Sequence, residues 1–254
     1  MKRLLFAIAL LVSCSACMRS STLITLRADG SGTIDQETGI NPQALAGLTA
    51  MAGDKEHGDE IGDVFNEKKA REEAEKMGVR FVSGAPIDTP ALKGYHAKYA
   101  FDDIKALKVR MQNAAGPEAR TDGRKPFDFD FAKGLTSSTI TLNLPQDARK
   151  PTLPGLGGRG GDPEQSKQMM AMIRPMLAGL YVEIALAVDG RIVKTNAPYV
   201  TGNKITLVQL DMDQMLANEA AFAKLQEATD AASLKNIPGL KVTTEPTVTI
   251  EFRR

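Results

Sequence analysis

Cysteine and tryptophan are the scarcest side chains in this 254-residue chain, which has two cysteines and no tryptophan. Both cysteines, Cys14 and Cys17, lie close to the amino terminus. The rest of the chain therefore contains no disulfide, no thiol nucleophile and no cysteine-based metal site. Aromatic residues make up 5% of the chain, which argues against a surface that stacks sugars or nucleic-acid bases. The folded part must be stabilised by packing.

An excess of charge of either sign is also absent. The chain has 32 basic and 31 acidic residues, and removing Lys2 and Arg3 with a signal peptide leaves 30 against 31. A balance this even gives no reason to expect nucleic acid as a partner or broad adhesion to anionic lipid.

Common catalytic motifs are missing as well. The sequence has no HExxH, GxSxG or SxxK, and His57 and His96 are its two histidines. The glycines of residues 155–160 formally spell GxGxxG, but prolines separate them from the preceding strand, and a dinucleotide site must join a strand directly to a helix. A run of five carboxylates over residues 54–63 does not have EF-hand spacing. We expect no enzyme, no cofactor and no bound metal.

The amino terminus carries the clearest pattern in the sequence. Lys2 and Arg3 precede nine apolar residues, 4–12, which form a secretory segment too short to cross a hydrocarbon core of about 30 Å. The end of this segment together with the next two residues, Leu11-Val12-Ser13-Cys14, resembles the lipobox of bacterial lipoproteins. That resemblance implies transfer of diacylglycerol to the Cys14 thiol, cleavage before Cys14 and acylation of the new amino terminus.

Two alternatives to this anchor remain open. The chain could be an ordinary secreted protein cut after Ala16, or Cys17 could be the lipidated residue, although Cys14-Ser15-Ala16 lacks the aliphatic residue of a lipobox. With Cys14 acylated, the partner is a membrane reached through the anchor. Ser15, where an Asp would retain the protein at the inner membrane, favours the outer membrane facing the periplasm if the cell is Gram-negative.

A β-hairpin is predicted directly after the anchor. Residues 23–26 and 33–36 flank Asp29-Gly30, and Asp-Gly supplies the positive φ that such turns need. The lipobox followed by a hairpin with an ADGSGT turn resembles a loose group of uncharacterised bacterial envelope lipoproteins of the LppM type. The resemblance covers these two features alone. It implies an α+β envelope domain, contact with lipid or glycolipid, and no catalysis.

Patterns in the rest of the chain predict an α+β fold, a largely antiparallel sheet with three to four helices packed on one face. Further strands are predicted over 79–82, 93–101, 127–131, 135–144 and 205–210. Two more pairs are expected, 180–188 with 191–195 through Asp189-Gly190, and 239–242 with 247–252. Helices are predicted over 42–52, 66–77, 164–178 and 211–228.

The domain organisation follows from these elements. Residues 1–13 are the signal peptide, 14–22 a lipidated tether, and 23–254 the α+β domain. Within it, residues 23–144 and 163–254 could be subdomains joined by the Pro/Gly-rich loop 145–162, although one shared sheet is the preferred arrangement.

The predicted helix 164–178 is rich in methionine. Met169, Met172, Ile173 and Met176 are the candidate groove for an apolar ligand, with core packing as the simpler interpretation and copper binding as a weaker one.

Three functions are weighed. The leading hypothesis is a lipid-anchored, non-enzymatic binding or structural module of the envelope, and the alternative is a carrier of lipid or another apolar ligand. Less favoured is a hydrolase whose carboxylates would come from Asp102, Asp103, Asp211 and Asp213.

Overall fold

The computed structural model describes residues 18–42, 65–109, 126–144, 177–218, 220–221, 224–225 and 233–254. The strands, in chain order, are β1 (Met18–Leu26), β2 (Gly32–Ile40), β3 (Arg80–Asp88), β4 (Lys93–Phe101), β5 (Asp128–Lys133), β6 (Ser138–Asn143), β7 (Tyr181–Val188), β8 (Arg191–Thr195), β9 (Val200–Thr201), β10 (Lys204–Asp211), β11 (Leu240–Val242) and β12 (Thr247–Arg253). The helices are α1 (Glu67–Met77), α2 (Met212–Leu216) and the 3₁₀ helix Ile104–Ala106.

The strands form two sheets. Sheet A has the order β11-β10-β7-β1-β2-β4-β3, with β9 also paired to β10, and sheet B has the order β5-β6-β12-β8. Neighbouring strands are antiparallel except β1 and β7, which are parallel. Each sheet contains strands from both sides of residues 145–162, so the two halves of the chain are joined by backbone hydrogen bonds.

The predicted hairpin after the amino terminus is confirmed as β1–β2, which closes with Leu26 opposite Gly32. The Asp29 carboxylate accepts hydrogen bonds from the Ser31 amide (3.0 Å) and hydroxyl (2.8 Å). These bonds hold the pKa of Asp29 below its usual value. Gly30 adopts a φ of +93°, a conformation that costs glycine little.

Helix α1 begins and ends where its sequence predicts. The Asn66 side chain accepts from the Lys69 amide at 3.0 Å, and Gly78 ends the helix in the left-handed conformation with a φ of +72°. Ala70, Ala74 and Met77 form its buried face, which packs on β3 and β4. The exposed face carries ion pairs at helical spacing, as an amphipathic surface helix should.

The core consists of two separate groups of buried residues. The large cluster lies between the two sheets and is built from alternate residues of their facing surfaces; its fully buried members include Ile24, Leu26, Ile34, Ile140, Leu142, Leu186, Ile205, Val248, Ile250 and Phe252. The small cluster joins strand ends to α2 and the segment before β11; its members include Met18, Leu180, Val182, Leu210, Met212, Met215, Leu234, Ile237 and Leu240.

The predicted α+β fold with three to four helices on one face is wrong. The described residues are mostly strand, arranged in two sheets, and contain two α-helices, of 11 and 5 residues. Two strands are longer than predicted, since residues 18–22 of the predicted tether belong to β1 and the predicted strand 79–82 continues to Asp88 as β3. Pairing with a neighbouring strand outweighs their weak apolar pattern. The helices predicted over 42–52 and 164–178 fall almost wholly outside the described residues.

Two predicted strand pairs are also wrong. β7 pairs with β1 and β10, whereas β8 pairs with β12 in the other sheet. β11 and β12 likewise lie in different sheets. The chain crosses from one sheet to the other at Asp189-Gly190, between β7 and β8. Residue 190 must be glycine because a Cβ there would collide with the Arg253 carbonyl oxygen. The same Asp-Gly chemistry thus makes a hairpin at residue 29 and a crossing at residue 189.

Candidate functional site

Polar side chains interrupt the inner face of sheet A between the two apolar clusters. Even-numbered residues of β1 point inward, and two of them, Ser20 and Thr22, are buried with 8% and 9% of their surface exposed. Their cross-strand partners in β2 are Thr38 and Gln36, which are half-buried. We call these four residues the hydroxyl strip.

The strip is bordered by apolar side chains on both sides. Val182 and Ile184 of β7 pair with Ser20 and Thr22, while Tyr95 and Ala97 of β4 pair with Thr38 and Gln36. All four border residues are buried. The inner face therefore offers a narrow band of hydrogen-bonding groups between two apolar walls.

Two tyrosines set the chemistry at the β4 border. The Tyr99 hydroxyl donates to the Gln36 side-chain oxygen at 3.0 Å. Burial raises the pKa of Tyr99 and also that of Tyr95, so both phenols stay protonated. Gly84 on β3 makes room for the Tyr95 ring, because a Cβ there would lie 2.4 Å from it.

Ser20 and Thr22 form no side-chain hydrogen bond with any of the residues that the structure describes. Because Glu245 Oε2 is the one fully buried side-chain oxygen or nitrogen without a partner in the described part of the chain, both hydroxyl oxygens keep some contact with solvent. Groups of this kind can bind a neutral polar group of a ligand, and they include no acid or base suited to catalysis.

A concave feature lies elsewhere, at the edge of sheet A beside β11. It is an open groove of about 320 Å³, lined among others by Tyr199, Gln209 and Lys241. Glu245 lies near this edge, with one oxygen 3.6 Å from the Lys235 ammonium and the other buried without a partner in the described part of the chain. Burial and the Glu245 charge raise the pKa of Tyr199.

The four candidate hydrolase carboxylates do not meet. Asp102 and Asp103 follow β4 at the end of sheet A where β1 finishes, whereas Asp211 and Asp213 lie at the opposite end. Three of the four bind backbone: Asp103 accepts from the Lys105 amide, Asp211 from the Gln214 amide and Asp213 from the Gly179 amide, at 2.8–3.0 Å. These are structural capping interactions, so the arrangement does not form a catalytic pair.

The other predicted site residues can be placed only in part. Cys14, His57 and the groove residues Met169, Met172, Ile173 and Met176 lie outside the described residues. His96 is on the outer face of sheet A, where its Nε2 is 3.6 Å from Asp35 Oδ1. Within the described ranges no group of three or more histidine or acidic side chains is placed to hold a metal ion, and no helix there has the length and apolarity needed to cross a bilayer.

Sequence reasoning missed the hydroxyl strip. The predicted tether includes residues 18–22, which leaves out the inward alternation of Met18, Ser20, Thr22 and Ile24. The signal was present, because a period of two with polar residues at inward positions marks a polar interruption of a buried face.

Comparisons with known proteins add one structural neighbour. No protein-family model and no curated protein sequence matches the chain. The NMR structure of the folded domain of Mycobacterium tuberculosis LppM is similar over 93% of this chain and 90% of that one, with 10% identity and a TM-score of 0.36. The neighbour belongs to the group that the amino-terminal residues resemble. At this TM-score neither the fold nor the function of the present chain follows from the likeness.

Proposed function

We propose that this chain is a lipid-anchored protein of the bacterial cell envelope and acts as a non-enzymatic binding or structural module. The observation that carries the proposal is the lipobox Leu11-Val12-Ser13-Cys14, whose first two residues end the nine-residue apolar segment 4–12. The membrane is the outer one, with the domain in the periplasm, if the cell is Gram-negative.

The physical role of the modification is retention at a membrane. Each buried CH₂ contributes about 0.8 kcal/mol, a single acyl chain binds only marginally, and the two or three chains of a bacterial lipoprotein anchor stably. The first strand begins at Met18, so the anchor is joined to the fold by a very short connection.

Mass spectrometry of the amino-terminal peptide tests the anchor. The detergent-extracted mature protein should begin at Cys14 and carry a diacylglyceryl group and a fatty acid such as palmitate. Cys14→Ala should abolish both the modification and membrane retention, whereas the matched variant Cys17→Ala should leave them unchanged. Normal anchoring of Cys14→Ala, or an unmodified terminus in the native protein, would show that the proposal is wrong.

The hydroxyl strip favours a second candidate function, a carrier of lipid or another apolar ligand with a polar group. Such a ligand would place its polar group against Thr38 and Gln36 and its apolar part along Val182 and Ile184, a combination typical of ligand sites. Native mass spectrometry of the gently extracted protein should then detect a non-covalent lipid. Thr38→Val should lower its occupancy and Thr25→Val, on the opposite face of the sheet, should not. Equal occupancy in both variants would exclude the strip as the site.

A further inference from the structure

We propose that the protein contacts the membrane with one end of sheet A, so that the strands of this sheet run away from the bilayer surface. In this arrangement the bilayer contacts the end of the sheet at which β1 begins, which we call the anchor end. The strand register defines the anchor end: Met18 is opposite Ile40, which is opposite Lys93, and Arg19 is opposite Tyr181. The proposal rests on lipidation of Cys14.

The length of the connection limits where the domain can lie. Four residue steps separate Cys14 from Met18, and an extended chain spans at most about 3.6 Å per residue, so the anchor lies within about 14 Å of Met18. The eight residue steps of β1 from Met18 to Leu26 extend about 26 Å at roughly 3.3 Å per residue. The end of sheet A where β1 finishes, the far end, is therefore about twice as far from Met18 as the anchor can be.

The turn between β3 and β4, residues 89–92, lies at the anchor end and bears no charge. Thr89 and Leu92 close it with three hydrogen bonds: the Thr89 amide and hydroxyl donate to the Leu92 carbonyl at 3.0 and 3.1 Å, and the Leu92 amide donates to the Thr89 hydroxyl at 3.0 Å. Pro90 has no amide proton to satisfy. Two of the turn's three amide protons are thus satisfied within the turn, which lowers the cost of approaching a headgroup layer.

An amphipathic pair lies at the same end of the sheet. The Arg19 guanidinium is 4.7 Å from the centre of the Tyr181 ring and 3.2 Å from the Glu37 carboxylate. Burial and Glu183 raise the pKa of Tyr181 to about 12, so the phenol is neutral. Tyrosine and arginine, each with an apolar body and a polar tip, suit a boundary between water and lipid.

The alternative orientation, with the outer face of sheet A flat on the bilayer, is disfavoured by charge. Away from the anchor end that face carries ion pairs of both signs, namely Lys98 with Asp35 and Lys204 with Glu183. Covering them would remove water from all four charges. The face also has no excess of basic residues to attract anionic lipids.

The far end supplies a matched reference position. The Ser138 hydroxyl donates to the Ala28 carbonyl at 3.0 Å, which places the β5–β6 turn beside the β1–β2 turn. Leu135 in that turn is fully exposed, and Ala91 in the anchor-end turn is exposed as well. The two positions thus compare exposed turn residues at opposite ends of the molecule.

The experiment uses the full lipidated chain with Cys17→Ser, in which the acylated Cys14 does not react with thiol probes. Ala91→Cys and Leu135→Cys are each labelled with a fluorophore. The protein is then incorporated into vesicles of phosphatidylethanolamine and phosphatidylglycerol that contain a headgroup quencher. We expect loss of fluorescence at position 91 and none at position 135.

Three results would overturn the orientation: equal quenching at both positions, stronger quenching at position 135, or no quenching at either. Mass spectrometry of the same samples separates this failure from that of the proposed anchor. If Cys14 is not acylated, the proposed function is wrong; if Cys14 is acylated and the quenching pattern differs, only the orientation is wrong. The Cys14→Ala chain with the same label gives the signal without membrane contact.

Discussion

The large and small clusters are built in different ways. The large cluster is assembled mainly from long strands of two sheets, with one face of α1 added, and its members come from residues 24–109, 127–144, 184–207 and 248–252. The small cluster has one turn of helix, strand ends and the loop residues before β11 around Met212 and Met215. The difference indicates that the sandwich between the sheets carries the global stability, while the small cluster holds one end of the molecule.

This division bears on the proposed membrane contact. Met18 and Leu180, at the anchor end, belong to the small cluster, so the part of the fold next to the bilayer has the smaller core. Regions with few buried apolar contacts open locally at lower free energy than the main core does. The anchor end can then adjust to the membrane while the sandwich stays folded.

The largest expected effect is a truncation in the large cluster. Phe252 is fully buried there, and Phe252→Ala should lower the free energy of unfolding by about 3–5 kcal/mol through lost burial and a cavity. Urea unfolding followed by circular dichroism measures this change. Leu135→Ala, at a fully exposed position, is the control and should change stability by less than about 0.5 kcal/mol. Similar effects of the two variants would contradict the assignment of the main core.

A smaller and more local effect is expected in the small cluster. Met215→Ala should cost about 2 kcal/mol, at the lower end for a buried methionine because the surrounding loop can partly collapse. Amide hydrogen exchange should show lost protection in α2 and β11 and unchanged protection between β1 and β2. Met77→Ala, the same truncation on α1 in the large cluster, should instead lower protection in β3 and β4. Uniform loss of protection in Met215→Ala would show that the two clusters unfold together.

Local signals in the sequence predicted local structure well. Asn66 and Gly78 bound α1, Asp211 and Gln214 begin α2, and Asp29-Gly30 closes the first hairpin. In each case the chemistry that fixes the element lies within three or four residues. Phe127 and Phe129 are buried, as the strict alternation around them predicts.

Strand partners could not be predicted from the same signals. A period of two identifies a strand but carries no information about which strand lies beside it. β7 pairs in parallel with β1, more than 150 residues away, and β8 leaves β7 to join β12. The hydroxyl strip was missed for the related reason that the role of Ser20 depends on β2 and β7, to which no local pattern points.

The smallest expected effect is that of a substitution in the hydroxyl strip. It tests whether the polar side chains of the strip lower the stability of the fold. Thr22→Val replaces a largely buried hydroxyl, unpartnered in the described part of the chain, with a methyl group of similar shape, and should raise the free energy of unfolding by less than about 1 kcal/mol, since the hydroxyl still reaches water. Thr25→Val, on the outer face of the same strand, controls for β-propensity and should change it less. If Thr22→Val destabilises the protein, then its hydroxyl has a partner and the strip is structural. If Thr22→Val stabilises the protein and also reduces co-purified lipid, the wild-type chain gives up stability at Thr22 to keep a binding surface. That outcome would favour the carrier function over a passive module.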